Sequence, residues 1–224
     1  MLDCRLIAST MILSVSFLPL QTVADECGKL SPPSVVVKRL EENISFNNQY
    51  GYRSLTNISA PKGRPGNLVL GLTRGNASVR FSTTTPGYID QSGRWECVSP
   101  QVSLVYGFTP ITVYVAREFP EGSCAHKEIY EHEMRHVKAY QSHIAAIEKE
   151  LGEILNRRFA TGEAWRGPVD SVRARLQQEL DERWAPYVQR EIKRVDEAQS
   201  LIDTPEEYER LANSCDGEVR KVTR

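Results

Sequence analysis

Two histidines four residues apart, with a glutamate beside the first, form the stretch His132-Glu133-Met134-Arg135-His136. On a helix, side chains at i and i+4 share a face, so both imidazoles can reach a single zinc ion. The glutamate then projects to the side of the metal. There a carboxylate can take a proton from a water activated at the site and hand it to a leaving amine. The chemistry implied is peptide hydrolysis, with Glu133 as its catalytic residue. All four histidines of the 224-residue chain, His126, His132, His136 and His143, fall within residues 126–143, a clustering hard to attribute to scatter.

Two histidines do not complete a catalytic zinc site, which usually takes three protein ligands and keeps a fourth position open. His143 lies seven residues beyond His136, roughly 10 Å along a straight helix, and residues 137–142 contain no glycine to turn the chain. It is expected in the shell around the site, in a pocket or on the helix surface, as are His126 and Tyr140. A helical hairpin offers a third ligand. With the connection centred near residue 164, position 136 stands level with about position 191 on the returning helix, since both helices rise ~1.5 Å per residue. Glu191 is the preferred ligand there, with His126, Glu163 and Asp203 as alternatives; the arrangement resembles that of the gluzincins. Tyr130 and Tyr140 can donate to a tetrahedral oxyanion, although a tyrosine on such a helix is more often core. Arg135 is expected to face solvent or a carboxylate on the returning helix.

The elements that must hold these residues divide in two. Residues 31–120 are punctuated by Gly, Pro, Asn and Ser and carry short β-branched or aromatic runs at 35–37, 68–72, 78–83, 102–108 and 111–119, which predict strands. Only Thr109-Pro110 separates the last two, predicting adjacent antiparallel strands with a tight connection. Residues 61–66 read as an exposed loop. From Ser123, a helix cap, apolar residues recur in steps of three and four to about Arg158. A second such pattern spans 169–195, with Pro186 as a candidate kink. Together they predict an antiparallel helical hairpin, followed by a short helix opened by Thr204-Pro205-Glu206-Glu207 and ending near Cys215. The fold class is α+β: a mostly antiparallel sheet in 25–122, then the helical part in 123–224 with the zinc-binding helix, the two forming one domain.

Residues 1–24 read as a secretory signal, with Arg5, an apolar run over 6–20, and small residues before a cut near Ala24. No later segment approaches the roughly 18 apolar residues of a membrane span. Export leaves Cys27, Cys97, Cys124 and Cys215, an even set for which disulfides are the default. Three connectivities are possible. Cys97 with Cys124, bracketing two strands, and Cys27 with Cys215, tying the termini, are the favoured pairs. The balance of 28 basic and 29 acidic residues argues against a dedicated nucleic-acid or membrane-surface binder.

The signal, the strand-rich first half, Cys97, the strand before Phe119, Cys124 and the His-Glu-x-x-His helix, in that order, resemble a bacterial family described as predicted secreted zinc-dependent proteases. The similarity is concentrated in residues 95–155. Family members often carry a Tyr-Asp-x-x-Thr-x-His-Gly stretch near the C-terminus, whereas the nearest segment here, Leu201-Ile202-Asp203-Thr204-Pro205, lacks its His and Gly. The resemblance implies a periplasmic or secreted zinc metallopeptidase acting on peptide or protein. It also implies an extended substrate pairing with the strand beside the active helix, the role given to Val113, Tyr114 and Val115. Two other readings stand beside it: an exported binding or envelope-interaction protein whose metal is structural or absent, and a zinc hydrolase of a non-peptide amide.

Overall fold

The computed structural model describes residues 25–41, 43–59 and 68–223. The expected signal sequence at 1–24 and the expected loop at 61–66 lie outside them. The protein is α+β, as its sequence pattern predicts. One long strand organises the first half: β6 (Gln101–Val115) pairs along one side with β1 (Ser34–Arg39) and then β2 (Ile44–Asn47), both parallel, and along the other with the antiparallel β3 (Gly71–Thr84). A short helix, α1 (Tyr52–Ser59), links β2 to β3. A second, antiparallel sheet joins β4 (Gly87–Ile89), β5 (Trp95–Val98) and β7 (Trp165–Pro168).

Two expected strands are therefore one. In β6 the buried residues alternate at Val102, Leu104, Tyr106 and Phe108, then resume at Ile111, Val113 and Val115. The three-residue step spans Thr109-Pro110, which stand opposite Asn76 where the register with β3 shifts. This bulge resets the phase, so both halves keep their apolar side inward. A proline without an N–H is tolerated because it falls at the irregularity.

Helix α2 (Cys124–Phe159) crosses that inward face. Ser123 caps it, its hydroxyl accepting from the His126 N–H at 3.1 Å. Val137, Ile144, Leu151, Leu155 and Phe159 pack on the β6 side chains, and the Tyr106 hydroxyl donates to the Ile144 carbonyl at 3.0 Å. The chain then returns as α3 (Ser171–Glu179), a π-helical turn (Leu180–Trp184) and α4 (Ala185–Lys193), followed by α5 (Val195–Ser200) and α6 (Pro205–Thr223). The wide turn explains how Pro186 is accommodated. Proline cannot donate to the carbonyl four residues back, and the preceding Ala185 N–H bonds to Leu180, five back. Leu176, Leu180, Trp184, Val188 and Ile192 keep the apolar stripe against α2. Helix α6 runs past the expected end at Cys215, with a kink where Cys215, Asp216 and Gly217 take left-handed backbone conformations.

The disulfides are Cys27–Cys97 and Cys124–Cys215, replacing both expected pairs. The reason lies in strand direction. Parallel pairing sets Ser34 beside Gln101, which carries Cys27 to Cys97 at the start of the same strand pair. At the other end, α6 runs back along α2 toward Ser123: Glu207 meets His132, Arg210 meets Glu128 at 2.6 Å, and Cys215 reaches Cys124. Two disulfides fit an oxidising, extracytoplasmic compartment. Among the described residues no helix is long and apolar enough to cross a membrane.

Candidate metal centre

His132, Glu133 and His136 lie on the buried face of α2, where polar side chains must find partners. They line a cavity of about 420 Å³ between α2, the start of β3, α5 and the start of α6. Asp203, in the turn before α6, completes a compact triangle. Its Oδ1 lies 3.2 Å from His132 Nε2 and 3.2 Å from His136 Nε2, and the two Nε2 atoms are 3.2 Å apart.

Both outer ring nitrogens have side-chain partners, and at His136 the partner fixes the tautomer. Gln199 donates its Nε2–H to the His136 carbonyl at 3.2 Å, which turns its Oε1 toward His136 Nδ1 as an acceptor. His132 Nδ1 faces Glu207 Oε1 at 3.2 Å. Arg135 pairs with that same carboxylate oxygen, and its Nη2 lies 2.9 Å from the ring nitrogen as both converge on it. Gln199 leaves the His136 Nε2 lone pair facing inward, where both Nε2 atoms and an Asp203 oxygen converge within 3.2 Å of one another. Two imidazole nitrogens and a carboxylate oxygen this close call for a positive charge between them, a shared proton or a metal ion.

Electrostatics carries the same sign. Burial would raise the Asp203 carboxyl, but hydrogen bonds and charge from the two histidines outweigh it and hold Asp203 far below the usual carboxylate range. Burial likewise opposes an imidazolium at His136, yet Asp203 and Glu133 prevail and push that ring up. The spacing fits a metal. A tetrahedral ion with bonds of about 2.0 Å has ligand atoms roughly 3.3 Å apart, close to the triangle found here. His132, His136 and Asp203 could thus hold a metal ion through three protein atoms, on a cavity that also contains Glu133.

Glu133 is buried, and burial pushes its carboxyl pKa up, with His136, His132 and the Thr73 hydrogen bond only partly offsetting this. Thr73 Oγ1 donates to Glu133 Oε2 at 2.7 Å, with the Glu133 carbonyl at 3.1 Å from the same hydroxyl. Gly71 is tied to this side chain by space: a Cβ there would stand 2.5 Å from Glu133 Oε1 and 2.7 Å from Ile129 Cγ2. No protein-family profile, curated protein or solved structure matches the chain.

Of the residues the sequence singles out, His132, Glu133, His136 and Tyr140 share the cavity, and Asp203, one of the alternatives, stands where Glu191 was expected. Glu191 instead pairs with Arg194 at 3.1 Å, and its carbonyl accepts from His143 Nε2 at 2.8 Å. The shift has a simple origin. Arg158 with Glu179, His143 with Glu191 and His136 with Gln199 place the hairpin midpoint between 167 and 169, because the connection contains β7, paired with β5. A displacement of four residues at the midpoint moves the opposite position by eight, about two helical turns. His143 accordingly ties α2 to α4, and His126 stacks on Tyr130 in the first turns of α2, with ring centroids 6.2 Å apart; neither lines the cavity. Glu163 sits in the hairpin connection, beyond the far end of α2. Val113, Tyr114 and Val115 belong to β6; the first two pair with both β2 and β3 and Val115 with β3, so the segment is not the open edge strand expected.

The strand beside the site is β3. Leu70 accepts from the Ala116 N–H at 2.8 Å. Alternation of the antiparallel ladder then points the Leu72 backbone toward β6 and those of Gly71 and Thr73 away from it, on the cavity side. Gln199, Glu207, Thr73 and Gly71 escape a reading by motif because none carries a metal-ligand pattern of its own. The capping signal at Thr204, whose hydroxyl accepts from the Glu207 N–H at 3.2 Å, is the one trace the sequence holds of where Asp203 and Glu207 are presented.

Proposed function

We propose that this chain is an exported zinc metallopeptidase that hydrolyses peptide bonds. The observation that supports the reading is the combination in one cavity of a three-ligand metal triangle with a buried carboxylate that takes no part in it. His132, His136 and Asp203 would hold zinc, the ion suited to two imidazoles and a carboxylate in a tetrahedral set with one open position. When bound, zinc supplies Lewis acidity, polarising a water and the carbonyl it attacks.

The rest falls to the chain itself. Glu133, its carboxyl pKa raised by burial, takes the proton of the attacking water and returns it to the departing amine. Thr73 fixes the rotamer of that carboxylate, and Gly71 leaves room for it. Gln199 holds the His136 imidazole in the tautomer that turns Nε2 inward, and Glu207, with Arg135, anchors the His132 ring at Nδ1. The Gly71 and Thr73 backbone offers N–H and C=O groups to an extended polypeptide, which would lie along β3 with a carbonyl near Glu133. Tyr140, beside His136 on the next turn, can donate to the oxyanion.

Digestion of a denatured protein by the zinc-loaded chain, by Glu133→Gln and by Asp203→Ala tests the reading. Cleavage by wild type, with loss of at least about 10² in rate for Glu133→Gln at unchanged zinc content, is expected for a general base. Equal activity of wild type and Glu133→Gln contradicts the mechanism.

A further inference from the structure

The cavity is unequal along its length. Toward His136 it is polar, with Tyr140, Gln199 and Ser200. Toward the N-terminal end of α2 it becomes apolar, bounded by Val69, Leu70, Ile129, Tyr208 and Leu211. Helix direction explains the grouping. Because α6 runs back along α2, with Arg210 at Glu128, Leu211 is carried level with Ile129. The start of β3 closes the third side, its Gly71 in close approach to both Ile129 and Glu133. The apolar end thus begins at the carboxylate that would take the proton: the point where a Cβ on Gly71 would stand is in reach of both Glu133 Oε1 and the Ile129 methyl. Leu68 and Leu201, sequence neighbours of the lining residues Val69 and Ser200, are exposed, Leu201 to 78%.

From this geometry we propose that the Ile129–Leu70–Leu211 end is a recognition subsite for a large aliphatic or aromatic side chain, and that the substrate carries such a residue immediately beside the bond attacked. The inference rests on the metallopeptidase reading and names the substrate class for it. A carbonyl placed at Glu133 directs the neighbouring side chain into the apolar end, because those two parts of the cavity are in contact. Leucine, phenylalanine or methionine removes apolar surface from water on both sides. A carboxylate or ammonium there gives up its hydration among mostly aliphatic side chains, with only the hydroxyls of Ser59 and Tyr208 to offer in return. Rejection of charged residues is thus stronger than discrimination among apolar ones, which in such pockets is about 10- to 200-fold per methylene.

The test uses the zinc-loaded full mature chain and two matched series. In the first, peptide hydroxamates that differ only in the side chain next to the zinc-binding group, Leu, Phe, Ala or Asp, are titrated calorimetrically into the Glu133→Gln protein. In the second, internally quenched peptides with the same four residues beside the scissile bond are offered to the wild type. We expect Leu and Phe to exceed Ala by at least about tenfold in both affinity and kcat/KM, with Asp weakest. Leu211→Ala and the milder Leu70→Ala, each checked for zinc content and thermal unfolding, should narrow the gap between Leu and Ala. Equal binding across the hydroxamates, or a preference unchanged in both variants, overturns the subsite. A graded hydroxamate series with no peptide cleaved upholds the subsite and overturns peptide hydrolysis instead, so the two failures are distinct.

Discussion

Removal of the Cys124–Cys215 disulfide should weaken metal binding, whereas removal of Cys27–Cys97 should not, although both cost similar stability. The bridges close loops of sequence separation 91 and 70 that do not overlap. Chain entropy makes each worth about 4–5 kcal/mol, with almost no difference between them. Their positions differ more than their energies. Cys27–Cys97 ties the N-terminal turn to β5, away from the cavity. Cys124–Cys215 clamps α6 onto the start of α2, and the segment it clamps begins with Asp203 and carries Glu207. The segment is also held by buried Leu211 and by the Arg135–Glu207 and Arg210–Glu128 pairs, so it should loosen rather than detach. A loss of zinc affinity of roughly 10- to 100-fold is expected, as for other disturbances around a metal ligand set. The assay compares the Cys→Ser double variants for denaturant midpoint and for zinc affinity by competition with a chromophoric chelator. Linkage requires the reverse effect too: zinc should protect Cys124–Cys215, and not Cys27–Cys97, from a dithiol reductant by the same factor. Equal loss of affinity in both variants would refute the reasoning, as would no loss in either.

Gly71→Ala should leave zinc content unchanged and lower kcat by at least about tenfold, because the added methyl displaces Glu133 and a catalytic group out of place loses its effect; metal analysis and single-turnover kinetics separate the two quantities. Gln199→Leu and Glu207→Leu should each weaken zinc binding by about 10- to 100-fold, read by chelator competition, since each removes the side-chain partner that orients an imidazole. Stability without metal should be acid-sensitive in a defined window. The hydrogen bond from Arg210, against some desolvation, and those from Arg135 and His132 lower the Glu207 pKa from 4.5 to about 2. The resulting stabilisation is full above pH 4.5 and is lost as pH falls toward 2. Denaturant midpoints measured with chelator present should fall more steeply over that window in wild type than in Glu207→Gln.

The sequence makes α2 legible to within a residue, because Ser123 caps it and the apolar steps persist through Phe159. His132, Glu133 and His136 come with it, since i and i+4 on a helix leave no freedom about which face they share. What depends on how distant segments meet was less legible. Glu191 was two turns out because β7 lengthens the hairpin connection, and no local pattern announces a strand of four residues, Trp165–Pro168, that pairs with β5. The disulfides followed from a parallel β1–β6 pair and an α6 that doubles back, neither of which leaves a local trace in the residues. The split of β6 at Pro110 was wrong: the apolar alternation does break there, but a bulge rather than a turn absorbs it, so the two expected strands are one.

The central claim is that His132, His136 and Asp203 hold one zinc ion and that Glu133 stands beside it without binding it. Metal content of the purified protein, measured by elemental mass spectrometry for wild type, Asp203→Ala, His136→Ala, Glu191→Ala and Glu133→Gln, tests it directly. The account predicts about one zinc per chain in wild type, Glu191→Ala and Glu133→Gln. It predicts loss in His136→Ala and Asp203→Ala, with folding retained by circular dichroism. A folded wild type that takes up no zinc, or an Asp203→Ala protein that keeps its zinc while Glu191→Ala loses it, would contradict the account.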